Sequence, residues 1–356
     1  MPNKKIMIVA GGTGGHVFPG LAVADYLQQQ GYKVVWLGTQ HGLDMKLVPA
    51  AQIAFHSLNI RGVRGTGKLS LFFAPVKIIR AVLQAIRILR KLKPNVVLGM
   101  GGYVAGPGGI AAWLLRIPLV IHEQNSIAGK TNLILAHFAR RILTAFPNTF
   151  SAKYHAQWVG NPLRVSIYQL RERQSPTKIS PLKVLVFGGS QGAMIINKIL
   201  PQALAEFSDR ELLIWHQTGE KHLATVQQTY GKFQVKVKLE PFINDMAAAY
   251  AWADVVICRA GALTVSELAV AGVASILVPF AQATDDHQTA NAKFLVDAQA
   301  AFLLPEEQLS VSRIVEMIRK LRNNRQLLMN MGEHAHKVAK VNATEQVATI
   351  CLTIAK

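Results

Sequence analysis

Cysteine is nearly absent. Cys258 and Cys351 are the only two in 356 residues, and their spacing fits no metal or redox motif. That excludes a fold held by disulfides. No run supplies the ~20 clean apolar residues that a membrane-spanning helix needs. Leu69 to Leu92 is broken by Lys77, Arg80 and Arg87, and Val104 to His122 by Pro107, Arg116 and Pro118. Met1 to Lys5 runs straight into the strand-like Ile6 to Ala10, so no leader segment is expected. Acids are scarce and unevenly placed. Residues 1–171 hold only Asp25, Asp44 and Glu123 against 20 Lys and Arg, a surplus of 17 out of the net +19. None lies between Met45 and His122. Residues 172–356 are nearly balanced, at +2.

Several chemical signatures are missing as well. No Gly-Lys-Ser or Gly-Lys-Thr follows a glycine loop, so there is no P-loop. Gly12-Thr-Gly14 begins a dinucleotide fingerprint, but Val17 stands where its third glycine belongs, and Gly188 to Ala193 fails the same spacing. No Asp-x-Asp triplet occurs, and no tightly bound catalytic metal or cofactor is expected.

What is present is a chain with 50% hydrophobic and 17% charged residues, enough for a sizeable core and too apolar for global disorder. At roughly 150 residues per domain, its length suggests two domains. Apolar strand-like runs alternate with helical patterns, the signature of parallel α/β units. Three runs end in glycine turns: Ile6 to Ala10 before Gly11-Gly-Thr-Gly-Gly-His16, Val96 to Leu98 before Gly99-Met-Gly-Gly-Tyr103, and Val184 to Phe187 before Gly188-Gly-Ser-Gln-Gly192. The first and third precede amphipathic helices expected over Pro19 to Gln29 and Ala193 to Phe207. They read as the openings of two doubly wound, Rossmann-like domains in tandem. The boundary is placed at residue 164, with the polar, two-proline segment Arg171 to Leu182 as a linker or opening loop. Domains over 1–164 and 165–341 follow, with a last helix, about 342–356, crossing back onto the first.

The positive field invites a polyanion or an anionic membrane. No zinc-finger spacing and no RNA-binding aromatic motif occurs, so nucleic acid is not the expected partner. Between Val76 and Leu92, Val76, Ile79, Leu83 and Ile86 recur at helical spacing, while Lys77, Arg80, Gln84, Arg87 and Lys91 fall on another side. Phe72 and Phe73 sit just before, and Pro75 suits a first helical turn. A basic amphipathic helix of this kind fits an anionic interface. It equally fits an ordinary surface helix whose stripe packs on its own domain.

Glycine turns between a strand and a helix bring backbone N–H groups and the helix dipole to one place, which suits an anion. Gly11 to Gly15 and Gly188 to Gly192 are therefore candidates, against the plainer reading that they merely reverse the chain. In the second half, Asp254 to Cys258 reads as a strand, followed by the turn and helix start Arg259 to Glu267. Ala262, Leu263 and Thr264 would offer N–H groups there. Glu267, one turn in, suits a ribose's two hydroxyls or simply complements the helix dipole. Gln288 and Asn291, three apart, would share a helical face and suit sugar hydroxyls.

Six motifs stand in one order: Gly11 to His16, Gly101-Gly-Tyr-Val104, His122-Glu-Gln-Asn125, Gly160-Asn-Pro162 with Arg164, Gly188 to Gly192, and Arg259 to Glu267. The ordered set, spanning nearly the whole chain, resembles the MurG family. These bacterial enzymes add N-acetylglucosamine to undecaprenyl-pyrophosphoryl-N-acetylmuramyl-pentapeptide in peptidoglycan synthesis. The resemblance implies an α/β GT-B fold, two Rossmann-like domains facing across a cleft, with UDP-N-acetylglucosamine held by the C-terminal domain. It implies donor contacts at Thr13, Gly14, Gly15, Asn125, Arg164, Ser190, Ile243, Ala262, Leu263, Thr264, Val265, Ser266, Glu267 and Gln288. Ile243 would meet the uracil through its backbone, Glu267 the ribose, Ser190 and the N–H groups near Thr264 the diphosphate, and Gln288 with Asn125 the sugar. The loop Ala281 to Thr284 is left without a role.

The implied reaction is inverting, with His16 the candidate general base and Glu123 or a water its rival. Helix-end dipoles and Arg164 would offset the charge of departing UDP. The +17 half then faces an anionic, membrane-bound acceptor. The His16 loop and Gly101, Gly102 and Tyr103 are candidates for the acceptor's pyrophosphate. Phe72, Phe73, Lys77, Ile79, Arg80, Leu83 and Arg87, with Trp113 and Arg116, are candidates for the membrane face. The implied location is peripheral, on the cytoplasmic face of the bacterial inner membrane, with cell-wall assembly proteins as possible partners. Three other readings stay open: a same-fold transferase acting on another membrane lipid such as a diacylglycerol, a sugar-nucleotide epimerase, and a non-catalytic sugar-nucleotide or nucleic-acid binding module.

Overall fold

A computed structural model describes residues 4–60, 74–171, 180–233, 236–282 and 286–355. The chain divides into two compact units, Met1–Arg164 with Asn342–Lys356, and Val165–Val341. In the first unit the strands are β1 (Lys5–Ala10), β2 (Lys33–Thr39), β3 (Ala54–Leu58), β4 (Val96–Gly101), β5 (Leu119–Glu123), β6 (Arg141–Thr144) and β7 (Gln157–Trp158). They form one parallel sheet in the order β3-β2-β1-β4-β5-β6-β7. Ile6 to Ala10 are buried throughout, as expected of a strand covered on both faces. One face packs Ile6, Ile8 and Leu98 against Val17, Val23 and Leu27. The other packs Met7, Val9 and Val97 against Ala85, Leu89, Ala105 and Ala111.

The C-terminal helix Ala343–Ile354 belongs to this unit. Val347, Ala348 and Cys351 are fully buried in the first face's core. Thr344 Oγ1 accepts from Leu163 N at 3.2 Å and donates to Leu163 O at 3.1 Å. Lys4 Nζ donates to the carbonyls of Leu352 and Ala355.

The second unit repeats the plan with β8 (Leu182–Phe187), β9 (Leu212–Gln217), β10 (Val237–Glu240), β11 (Val255–Cys258), β12 (Ala274–Leu277) and β13 (Ala301–Leu303). Its parallel order is β10-β9-β8-β11-β12-β13. Helices Met194–Leu204, Val311–Asn323 and Arg325–Val338 cover one face, burying Ile196, Leu200, Ile314, Ile318 and Met331 against Val184, Val186, Val255 and Ile276. In each unit the strand order reverses beside the first strand, between β1 and β4 and between β8 and β11. Ligands of doubly wound folds collect at that switch point, past the carboxyl ends of the strands. The glycine turns after β1, β4 and β8 all stand there.

One expectation needs correction. The helix after β1 starts at Gly14, not Pro19, because Thr13 takes the extended N-cap conformation and the chain coils at once. Pro19, the sixth residue, forfeits one i→i−4 bond near the helix's start and is tolerated. This helix is also apolar on most sides, burying Val17, Pro19, Gly20, Ala22, Val23, Ala24 and Leu27 rather than one stripe. The basic helix runs Ala74–Leu92, and its inward face is Ala81, Ala85 and Leu89. Alanines there let it lie close on its own unit, while the larger Val76, Ile79 and Leu83 stay about half exposed, and Ile86 turns partly inward. Gln84 leaves the polar side too: it accepts from Asn59 N and donates to Ser57 O at the end of β3. Phe72, Phe73 and most of the linker Arg171 to Leu182 lie outside the described residues.

Candidate functional site

In the first unit the turn after β1 is fastened from below by Asp44. Its fully buried carboxylate accepts from Thr39 N at 2.5 Å, Thr39 Oγ1 at 3.1 Å and Gly12 N at 3.2 Å. Gly12 has φ +93, a conformation glycine adopts without strain. Gly14 and Gly15 then open the helix, and their N–H groups are among the four that no intrahelical carbonyl can accept. This is the geometry of an anion site at a helix N-terminus.

His16 stands one residue on, half-buried. Its Nδ1 is 2.9 Å from Gln124 Oε1. Gln124 Nε2 lies 3.0 Å from His122 Nδ1 and 3.2 Å from His122 O, and His122 Nε2 lies 2.9 Å from Gly160 O. Burial lowers the His122 ring to about 4, although the Gly160 carbonyl and Glu123 favour its charged form, so it is neutral near pH 7. The β4 turn presses on the same place. Gly101 and Gly102 have φ +98 and +80, and a Cβ at Gly102 would strike the Gly11 carbonyl.

Glu123 has another task. It is 3% exposed and accepts from Asn125 N at 3.1 Å, Asn125 Nδ2 at 3.3 Å, Gly129 N at 3.0 Å and Asn132 Nδ2 at 2.8 Å. A carboxylate so occupied organises the loop after β5 and is poorly available as a base. Through it Asn125 is held in position. Arg164 is exposed, with its guanidinium 5.8 Å from the Phe18 ring centroid.

The second unit holds a pocket of about 630 Å³ at its switch point, lined by Gly188, Gly189, Lys198, Arg259, Thr264 and Gln288 among others. Its rear is the turn after β8. A Cβ at Gly192 would strike Thr218 O, and one at Gly219 would strike Gln191 O, so two backbone turns are pressed together there. Ser190 is exposed on the tip of that turn. On the facing side the helix Ala262–Ala271 begins after Gly261, with the N–H groups of Ala262, Leu263 and Thr264 in its first turn.

The other expected donor residues divide. Glu267 accepts from Tyr250 Oη at 2.9 Å, which fixes one oxygen and its orientation. Gln288 Oε1 accepts from Phe280 N at 3.0 Å, tying the loop after β12 to the helix His287–Asp297. Ile243 is buried, 4% exposed. Val265 is fully buried and its N–H already bonds Gly261 O, and Ser266 Oγ donates to Ala262 O. Asn291, placed beside Gln288 by spacing, is fully buried and donates to Ala260 O.

Sequence reading missed Lys198 and Glu306 as pocket residues. Arg259 Nη1 donates to Glu306 Oε2 at 2.7 Å and to the carbonyls of Val278 and Pro279. Burial pushes the Glu306 carboxyl up, but Arg259 and the Ala281 N–H outweigh it and hold the group below its ordinary value. No local signal links residues 47 apart. Among the described residues no group of three or more His, Cys, Asp or Glu is arranged to hold a metal, and no helix is long and apolar enough to cross a membrane.

The outward face of the helix Ala74–Leu92 carries Lys77, Arg80 and Arg87 beside Val76, Ile79 and Leu83, all exposed. The neighbouring helix Ala105–Leu114 adds exposed Trp113, whose ring is 4.7 Å from that of Phe138, and Leu114. Ile134 is exposed as well.

Residues 6–144 match the glycosyltransferase family 28 N-terminal domain, and residues 183–355 its C-terminal domain. A curated relative from Shewanella halifaxensis is 50% identical over 358 residues, covering 99% of this chain and 98% of its own. It is the UDP-N-acetylglucosamine--N-acetylmuramyl-(pentapeptide) pyrophosphoryl-undecaprenol N-acetylglucosamine transferase. The crystal structure of Acinetobacter baumannii MurG matches with a TM-score of 0.83 at 43% identity, covering 98% of this chain and 99% of that one. A UDP-GlcNAc 2-epimerase from Neisseria meningitidis matches with a TM-score of 0.69 at 14% identity, covering 98% of this chain and 100% of that one, a likeness of fold alone.

Proposed function

The chain belongs to glycosyltransferase family 28, and we infer that it transfers N-acetylglucosamine from UDP-N-acetylglucosamine to the 4-hydroxyl of N-acetylmuramyl-pentapeptide carried on undecaprenyl pyrophosphate. The observation that carries this reading is the 50% identity over 99% of the chain to an enzyme of that name. The product is the lipid-linked disaccharide precursor of peptidoglycan, so the enzyme serves cell-wall synthesis and, through it, cell shape and division.

The second unit binds the donor in this account. The diphosphate takes the first-turn N–H groups of Ala262, Leu263 and Thr264 and the tip of the Gly188 to Gly192 turn at Ser190. Lys198 adds a cation on the pocket wall. Glu267, already oriented by Tyr250, accepts from the ribose hydroxyls. Ile243 meets the uracil by its backbone, and the Gln288 Nε2 group reaches the sugar while its Oε1 stays on Phe280. The first unit contributes Thr13, Gly14, Gly15, Asn125 and Arg164 to the sugar and phosphates, and binds the acceptor.

The acceptor oxygen attacks the anomeric carbon as the bond to the UDP oxygen breaks, which inverts that centre to a β-1,4 linkage. The hydroxyl proton passes to His16. Charge developing on UDP meets helix N-termini and Arg164. Glu123, spent on its own loop, is set aside as the base.

Exposed Val76, Ile79, Leu83 and Trp113 among Lys77, Arg80, Arg87 and Arg116 support a peripheral seat on the cytoplasmic, anionic face of the inner membrane, where the lipid acceptor resides. Gly101, Gly102 and Tyr103 are assigned to the acceptor's pyrophosphate. Contact with cell-wall assembly proteins follows from the role rather than from any one surface. The test is transfer of labelled sugar to the muramyl-pentapeptide lipid, with a diacylglycerol acceptor offered alongside.

A further inference from the structure

We propose that Gln124 and His122 are positioning residues that fix the tautomer of His16, placing its proton on Nδ1 and leaving the Nε2 lone pair to receive the acceptor's proton. The proposal rests on the reading of His16 as general base.

The direction of every hydrogen bond follows from two groups that can only accept. The first is His122 O. Gln124 Nε2 lies 3.2 Å from it, so the amide's NH2 must face that side, and the usual ambiguity between amide N and O is removed. Gln124 Oε1 is then the atom 2.9 Å from His16 Nδ1, and it can only accept, so Nδ1 carries the proton. The second is Gly160 O, 2.9 Å from His122 Nε2, which must therefore be protonated. His122 Nδ1 is then bare and accepts from Gln124 Nε2 at 3.0 Å. The two ends were fixed independently and they agree. One donor chain runs from His16 through Gln124 and His122 to the Gly160 carbonyl.

The chain is built to stay in that state. Gln124 is 1% exposed and His122 fully buried, so water does not compete for their partners. A neutral His122 has the single ring proton that the chain requires. Asn161 Nδ2 donates to Gln124 O at 3.1 Å and Asn132 Nδ2 to His122 O at 3.3 Å, which holds both backbones. Nucleophile–base pairs elsewhere use a third group to orient the base. Here a neutral amide fills that role. When His16 becomes imidazolium, Nδ1–H is already bonded to Gln124 Oε1 and nothing has to turn.

The tautomer is read directly by long-range 1H–15N correlation on full-length protein labelled with 15N-histidine at pH 8, with His16 assigned by its loss in His16→Gln. The expected result is His16 protonated at Nδ1 and bare at Nε2. An Nε2–H tautomer overturns the proposal whatever the kinetics. In the transfer assay Gln124→Met should lower kcat by ~10²-fold with KM for UDP-N-acetylglucosamine unchanged within about twofold. Gln124→Glu, held as the neutral acid by burial, still accepts from Nδ1 and donates its O–H to His122 Nδ1, and should recover to within about tenfold of wild type. Equal kcat in Gln124→Met and wild type overturns the proposal. Full kcat in His16→Ala removes the base reading instead, and the tautomer measured in the wild type stands apart from that outcome.

Discussion

The His16 ring occupies the space that a side chain at Gly101 would need. A Cβ built there lies 2.7 Å from His16 Nδ1 and 2.8 Å from Cε1, and Gly101 has φ +98. Gly101→Ala must therefore displace the ring, and its backbone conformation costs about 1–2 kcal/mol besides. The expected outcome is a folded enzyme with kcat reduced ~10²-fold, because a shift of about 1 Å in a positioned group has that effect. Steady-state kinetics beside a thermal melt checks it. A lost melt with normal residual kcat would mean that the contact is only structural.

Glu267 and Tyr250 give a graded pair. Glu267→Ala should raise KM for UDP-N-acetylglucosamine ~10²-fold through loss of charge-assisted bonds to the ribose. Tyr250→Phe keeps the carboxylate and removes only its 2.9 Å tether, so a rise below about tenfold is expected. Donor KM and UDP affinity measured on both variants decide the ribose assignment. Equal effects would assign Glu267 a structural role.

Reversing charge at Lys77, Arg80 and Arg87 should weaken binding to anionic vesicles at least ~10²-fold, at about 1 kcal/mol for each cation near the surface. Transfer to a soluble acceptor analogue should be unchanged. Ile79→Ser with Leu83→Ser should weaken binding to anionic and neutral vesicles alike. Sedimentation with vesicles of each composition reads both. Retention of the charge-reversed protein on anionic vesicles equal to that of wild type contradicts the membrane reading.

Acid should destabilise both units through buried neutral rings. Burial lowers His122 from 6.5 to about 4 and His216 from 6.5 to about 3. The folded state thus binds fewer protons than the unfolded one between those values. Stability is intact above about pH 6.5 and falls as pH drops toward 4, by about 1.4 kcal/mol per pH unit for each ring. Urea melts at pH 7.5, 6.5 and 5 measure the slope. A free energy that is flat over this range contradicts it.

Much of the architecture was legible because its signals are local. Buried strands such as Ile6 to Ala10 followed by glycine turns announce doubly wound units, and Gly12 and Gly189 adopt a positive φ that glycine takes without strain. The start of the first helix was misjudged because Pro19 is a strong start signal, whereas Thr13 takes the cap. The apolar stripe Val76, Ile79 and Leu83 is legible from its spacing, but which face packs inward is set by close approach at Ala81 and Ala85, which a pattern of large apolar residues does not show. The His16–Gln124 bond joins residues 108 apart, and the Arg259–Glu306 pair residues 47 apart. Such pairs exist only once the sheets order the loops, so no spacing rule reveals them. Within one matching motif Val265 is fully buried and Ser266 Oγ bonds Ala262 O, because a motif marks a segment and not each side chain's direction.

The most direct test of the account is transfer of radiolabelled N-acetylglucosamine from its UDP donor, with undecaprenyl-linked muramyl-pentapeptide and diacylglycerol offered separately to the purified full chain. The account predicts a β-1,4-linked disaccharide on the muramyl lipid and no product on diacylglycerol. Transfer to diacylglycerol alone, or to neither lipid while UDP still protects the protein against unfolding, would contradict it.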